Sequence, residues 1–85
     1  MPEAMKREEI LEKPILITGY VVCKSKFKGK YAIVEAKLDN REITFIANQY
    51  MLNQLEKIKD FPIIAKVMKR DKGPFFKFID MRGVL

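Results

Sequence analysis

Hydrophobic and polar positions change their period along the chain, and each change marks an element. Residues 15–23, ILITGYVVC, are apolar and uncharged, which predicts a strand buried on much of both faces. Gly19 in its middle marks a bulge or sharp bend. Residues 31–38, YAIVEAKL, alternate instead. Ala32, Val34, Ala36 and Leu38 share one face; Tyr31, Ile33, Glu35 and Lys37 share the other. Asp39-Asn40 predicts a two-residue hairpin, and residues 41–47 a third strand with Ile43, Phe45 and Ala47 on one side. In 48–59, NQYMLNQLEKIK, the apolar residues Met51, Leu52, Leu55 and Ile58 fall on one helical face, with Asn48 as N-cap. Asp60-Phe61-Pro62 stops the helix. Residues 63–70 and 75–81 read as fourth and fifth strands around a turn at Asp71–Pro74. Residues 1–13 are mostly polar and read as a flexible or short helical arm ending before Pro14, so residues 14–85 are the predicted domain.

The predicted class is mostly β, in the order β-β-β-α-β-β, and 85 residues allow one domain. That order, with a bent first strand at Gly19, resembles the five-stranded oligonucleotide/oligosaccharide-binding (OB) fold, a Greek-key barrel. The resemblance covers residues 14–81. An SH3-like barrel normally has only a single 3₁₀ turn where this chain has three helical turns, and a ferredoxin-like sandwich needs βαββαβ.

Composition removes most catalytic readings. There is no histidine, so imidazole acid/base chemistry and His-containing dyads are excluded. The single Cys23 excludes an internal disulfide and a thiolate zinc site within one chain, and reads as a small buried hydrophobe. Glu35-Ala36-Lys37 resembles an E-x-K nuclease triplet, but no acid lies between Glu12 and Glu35 to share a Mg²⁺. The expectation is a binding protein, not an enzyme, with no metal and no cofactor. No apolar run approaches a membrane span and the start lacks a secretory signal, which predicts an intracellular, cytoplasmic protein.

Charge then sharpens the picture. The chain carries +6, yet residues 24–30, KSKFKGK, hold +4 and residues 66–77, KVMKRDKGPFFK, another +4. Everything else sums to −2. In OB folds the ligand lies across strands 2 and 3, gripped by the loops joining strands 1–2 and 4–5. The two basic segments are the two loops that such a fold would use. Each also carries aromatic residues, and single-stranded nucleic acid is held by cations for phosphates and flat rings for bases. Phe27 lies among lysines where burial offers little. Phe76 and Phe78, two apart on a strand, read as core. Tyr31 and Ile33 fit either a groove wall or a dimer contact.

The loop KSKFKGK, the helix NQYMLNQLEKIK and the hairpin KRDKGPFF, together with Gly19, make the chain similar to small single-domain OB-fold single-stranded DNA-binding proteins of archaea, viruses and phages. The resemblance implies protection of single strands during replication or repair, often as a homodimer, in the host cell where the source is viral. It places Lys24, Lys26, Phe27, Lys28 and Lys30 in the first gripping loop and Lys69, Arg70, Lys72 and Phe75 in the second. Tyr31 and Lys37 on the second strand, and Lys77 after the second loop, complete the candidate binding set. The expected partner is single-stranded nucleic acid, DNA ahead of RNA, bound with little sequence preference. Three alternatives stay open: an RNA-binding OB module, an assembly subunit that uses Tyr31, Ile33 and Ile46 as an apolar patch without nucleic acid, and a basic SH3-like chromatin protein that would prefer duplex.

Overall fold

The computed structural model describes residues 2–26, 29–71 and 75–83. Its elements are β1 (Glu3–Ala4), a 3₁₀ turn (Arg7–Ile10), β2 (Ile15–Lys24), β3 (Lys30–Leu38), β4 (Arg41–Ala47), α1 (Gln49–Glu56), β5 (Ile63–Lys69) and β6 (Phe76–Gly83). The strands form one sheet in the order β1-β4-β3-β2-β5-β6. All pairings are antiparallel except β1 with β4, which is parallel.

The alternation of apolar residues sets which face is buried. Ala32, Val34, Ala36 and Leu38 of β3, Ile43, Phe45 and Ala47 of β4, and Ile63, Ala65 and Val67 of β5 all point into one core. Phe76 and Phe78 of β6 join them, and Met51, Leu52 and Leu55 of α1 cover one side. No polar or charged side chain is buried among the described residues. β2 is the hinge of the sheet. It pairs with β3 along its length but with β5 only through Ile15, Leu16 and Ile17. The β2–β3 register slips between Ile17 and Gly19, the bulge expected at that glycine, which bends the strand between its two partners. Asp39 and Asn40 have φ of 50° and 67°, the paired left-handed geometry of a tight hairpin turn.

The sheet curls without closing into a barrel, and it has six strands where five were expected. Curling brings Phe45 of β4 and Phe78 of β6 edge to face, with ring centroids 6.2 Å apart, although their strands are not paired. Side chains of α1 occupy the edge of β6 there. Phe78 N–H donates to Gln54 Oε1 at 2.8 Å, and Gln54 Nε2 donates to the Phe78 carbonyl at 3.0 Å. Asn48 Nδ2 donates to the Phe76 carbonyl at 3.3 Å. The Gln54 amide thus stands in for a neighbouring strand's peptide group.

The sixth strand comes from the amino-terminal arm. Glu3 and Ala4 pair with Ile43 and Thr44, and Met5 N–H donates to the Thr44 carbonyl at 2.8 Å. The 3₁₀ turn then places Ile10 in the core with no exposed surface. Glu12 N–H donates to the Val67 carbonyl at 2.7 Å. Two residues with no apolar period give no strand signal; the pairing rests on backbone bonds and an exposed ion pair in which Arg41 Nη1 donates to Glu3 Oε1 at 3.4 Å. The first predicted strand also needs correction: β2 is not buried on both faces, since Val21 is 54% and Val22 43% exposed. Beyond Gly19 it has parted from β5, and β3 covers only one edge.

Candidate nucleic-acid interface

The two basic segments meet on the first turn of α1. At the first, β2 and β3 end in the Lys24–Lys30 pair, and Ser25 N–H donates to the Gly29 carbonyl at 3.2 Å. Gly29 takes φ +81°, where any side chain would be strained, and a Cβ there would lie in ordinary contact with Gln49 Oε1 at 3.4 Å. The close approach has a purpose in the local bonding: Lys30 N–H donates to the same Gln49 oxygen at 2.8 Å. Gln49 Nε2 in turn donates to Asn53 Oδ1 at 2.9 Å, which fixes its amide.

At the second segment, Arg70 N–H donates to the Phe75 carbonyl at 2.8 Å, closing the β5–β6 hairpin. The Arg70 guanidinium lies 4.2 Å above the centre of the Tyr50 ring, within range of a cation–π contact. Gln49 and Tyr50 are consecutive, with Cα atoms about 3.8 Å apart. One touches the first basic segment and the next touches the second. Between Tyr50, Arg70, Asp71 and Lys77 lies an open cleft of about 330 Å³. Tyr50 is 42% and Phe75 54% exposed at this side.

The helix start that carries this meeting point is well built. Asn48 Oδ1 accepts from Met51 N–H at 2.9 Å, satisfying one of the free donors of the first turn. Asn48 also bonds β6, so the cap anchors the helix start to the sheet. A second cation–ring contact lies nearby, where the Arg7 guanidinium of the arm sits 4.7 Å above the buried Phe76 ring.

The candidate binding residues divide into groups. Lys24, Lys26, Lys30, Lys69, Arg70 and Phe75 are exposed, and Lys77 is half-buried at the cleft. Phe27, Lys28 and Lys72 lie outside the described residues. Lys66, counted in the second basic segment, is drawn off by Asp80 at 3.8 Å. Lys37 is not part of the cluster. It stands seven residues along β3 from Lys30, roughly 23 Å away at strand rise, and pairs in register with Leu16 and Glu42. Tyr31 is half-buried beside Cys23, and its side-chain hydrogen bond to Cys23 holds its phenol above the usual tyrosine range. The negative charge that Cys23 can carry and partial desolvation push in the same direction.

Tyr50 and Gln49 were not among the candidates read from sequence. The available signal was an aromatic residue in the helix NQYMLNQLEKIK that falls off the Met51-Leu52-Leu55 stripe. Arg70 gave no local sign of reaching it, because the contact spans twenty residues.

The outer face of β2, β3 and β4 differs. Register places Val21 opposite Ile33 and Ile33 opposite Ile46. These three are 54%, 38% and 55% exposed and form an apolar row. The next residues along the face are Glu35 and Thr44, then Lys37 and Glu42.

No helix among the described residues is long and apolar enough to cross a membrane. Nothing matches the chain among curated proteins or among solved structures. One family model does match, over residues 2–79, so the docked arm, α1 and every strand but the end of β6 fall within it: the chain belongs to the DUF8468 family, a domain of unknown function.

Proposed function

We propose that this protein is a sequence-tolerant single-stranded DNA-binding protein and not an enzyme, holding phosphates with its two basic segments and bases on exposed rings. The observation that carries the reading is the meeting of those segments at α1. The Lys30 backbone N–H reaches Gln49 and the Arg70 guanidinium lies over Tyr50, so the two basic segments come together at consecutive residues of one helical turn, one of them aromatic. Cations and flat rings together are what a flexible, charged, unstacked strand requires. The fold supports it in a finer form. The run β4-β3-β2-β5-β6, with a bulged β2 shared by two partners and one helix between β4 and β5, fits an OB-type barrel left open at its seam. Such a reading needs no metal and no cofactor.

The deciding measurement is a salt titration of a 20-mer oligo-dT, the matching RNA and a duplex. Oligo-dT is expected to bind tighter than duplex, with log affinity falling linearly in log salt concentration. Equal affinity for single strand and duplex overturns the proposal. Tighter binding of RNA moves the assignment to an RNA-binding module on the same surface, where a 2′-OH contact would discriminate.

A second reading rests on the Val21–Ile33–Ile46 row. Three adjoining exposed branched residues are suited to burial against another protein surface, as in an assembly subunit or a homodimer. Sedimentation that stays monomeric across a concentration series removes the homodimer form of that reading.

A further inference from the structure

Within the nucleic-acid reading, on which this inference rests, the strand's path is open to argument, and two surfaces compete for it. The outer face of β3 and β4, where OB folds carry their ligand, is poorly suited to phosphates here. It presents Glu35 and Glu42 against Lys37, beside the apolar row of Val21, Ile33 and Ile46. At the first turn of α1, Lys30 meets Gln49 with Lys24 paired beside it, and Arg70 and Lys77 line the Tyr50 cleft against Asp71.

We propose that Tyr50 and Arg70 form a base-stacking platform, and that a bound strand crosses the first turn of α1 instead of the outer face of β3 and β4. A stacking ring must be held rigid, exposed and close to a phosphate donor. Tyr50 meets all three conditions. It is fixed on a capped helix, it keeps 42% of its surface, and a guanidinium lies 4.2 Å from its ring centre. A guanidinium that stacks with its face keeps its in-plane N–H donors free for a phosphate oxygen. Lys77 borders the same cleft, and exposed Phe75 follows the same hairpin, so a neighbouring base and phosphate also have partners. On the other side, Gln49 ties Lys30 to the same helical turn, which sets Lys24 and Lys30 where the strand would leave.

The test compares oligo-dT binding by the full chain with that of Tyr50→Ala, Tyr50→Phe and Tyr31→Ala. Tyr50→Ala is expected to lose about five- to 140-fold at every salt concentration, with the salt slope unchanged because no charge is removed. Tyr50→Phe keeps affinity within about threefold, because the ring and not the hydroxyl does the stacking, and Tyr31→Ala loses less than Tyr50→Ala. The chain has three tyrosines and no tryptophan, so tyrosine emission gives an independent signal. Quenching by oligo-dT should persist in Tyr31→Phe and fall away in Tyr50→Phe. Saturable binding that Tyr50→Ala leaves intact and Tyr31→Ala abolishes overturns the platform while sparing the nucleic-acid reading. Equal losses in Tyr50→Phe and Tyr50→Ala also overturn it. No saturable binding by the unaltered chain overturns the reading itself, and the platform with it.

Discussion

Two surfaces of the same curled sheet carry opposite chemistry. The outer face of β2, β3 and β4 is an apolar row followed by two acids and a lysine, and its side chains make few specific contacts with one another. The side around α1 is cationic and aromatic, and side-chain amides of Asn48, Gln49 and Gln54 tie it to the backbone of β3 and β6. Charge and exposed rings therefore gather away from the outer sheet face. Here the helix that covers the open seam is also the place where both basic segments end.

The largest expected effect tests how that side is built. Gln54→Leu removes both bonds to Phe78 and leaves a part-buried N–H and carbonyl without partners. At about 1–3 kcal/mol for each of the two unpaired groups, the loss should be roughly 2–6 kcal/mol. Urea unfolding should show it as a lower midpoint at unchanged slope. Gln49→Leu, whose partner Lys30 is exposed, should cost about 1 kcal/mol or less. Equal costs would mean that α1 does not close the seam of the sheet through Gln54.

Next comes charge. The pair Lys30→Gln and Lys77→Gln takes one cation from each basic segment without touching the Tyr50–Arg70 stack. If each meets one phosphate, the slope of log affinity against log salt should flatten by about 1.4, with affinity at low salt down on the order of tenfold to a hundredfold. Lys37→Gln, on the other surface, should change neither by a measurable amount. An effect of Lys37→Gln as large as that of the pair would return the ligand to the outer face.

Much of the contrast could be read from the residues, and the remainder has physical causes. Alternation in YAIVEAKL and REITFIA identified the buried faces of β3 and β4 because one side of each strand meets the core. The helix stripe placed Met51, Leu52 and Leu55 correctly for the same reason, whereas Ile58 lies past the end of α1 and packs half-buried against the core. β2 misled because its uncharged run suggests burial, whereas Val21 and Val22 extend beyond the bulge where no element covers them. Ile10 was hidden by charged neighbours, since one buried residue has no period. Local charge counting found the two basic segments. It could not find Tyr50, whose role depends on a hairpin twenty residues later.

A smaller effect should separate the surfaces from the other direction. Ile46→Thr and Val21→Thr replace residues more than half exposed, so stability should move by no more than about 0.5 kcal/mol. Oligo-dT affinity should stay unchanged. A shift in sedimentation coefficient on substitution would instead identify the row as a self-contact and give the outer face its own partner.

The smallest effect lies at the boundary, where Tyr31 stands next to Lys30 and across from Cys23. The hydrogen bond to Cys23 favours the neutral phenol, so the folded state binds this proton more tightly than the unfolded chain does. The contribution is fully present below the ordinary tyrosine value of about 10 and is lost as pH rises through the higher folded value. Cys23→Ala removes the bond and the charge that Cys23 can carry, so Tyr31 should ionise closer to the ordinary value. Ultraviolet titration of the phenolate in a Tyr20→Phe, Tyr50→Phe background isolates Tyr31 from the other two tyrosines. An unmoved midpoint would show that Cys23 is not what holds the phenol protonated. The boundary between the two surfaces would then be set by packing of the Tyr31 ring and not by its hydroxyl.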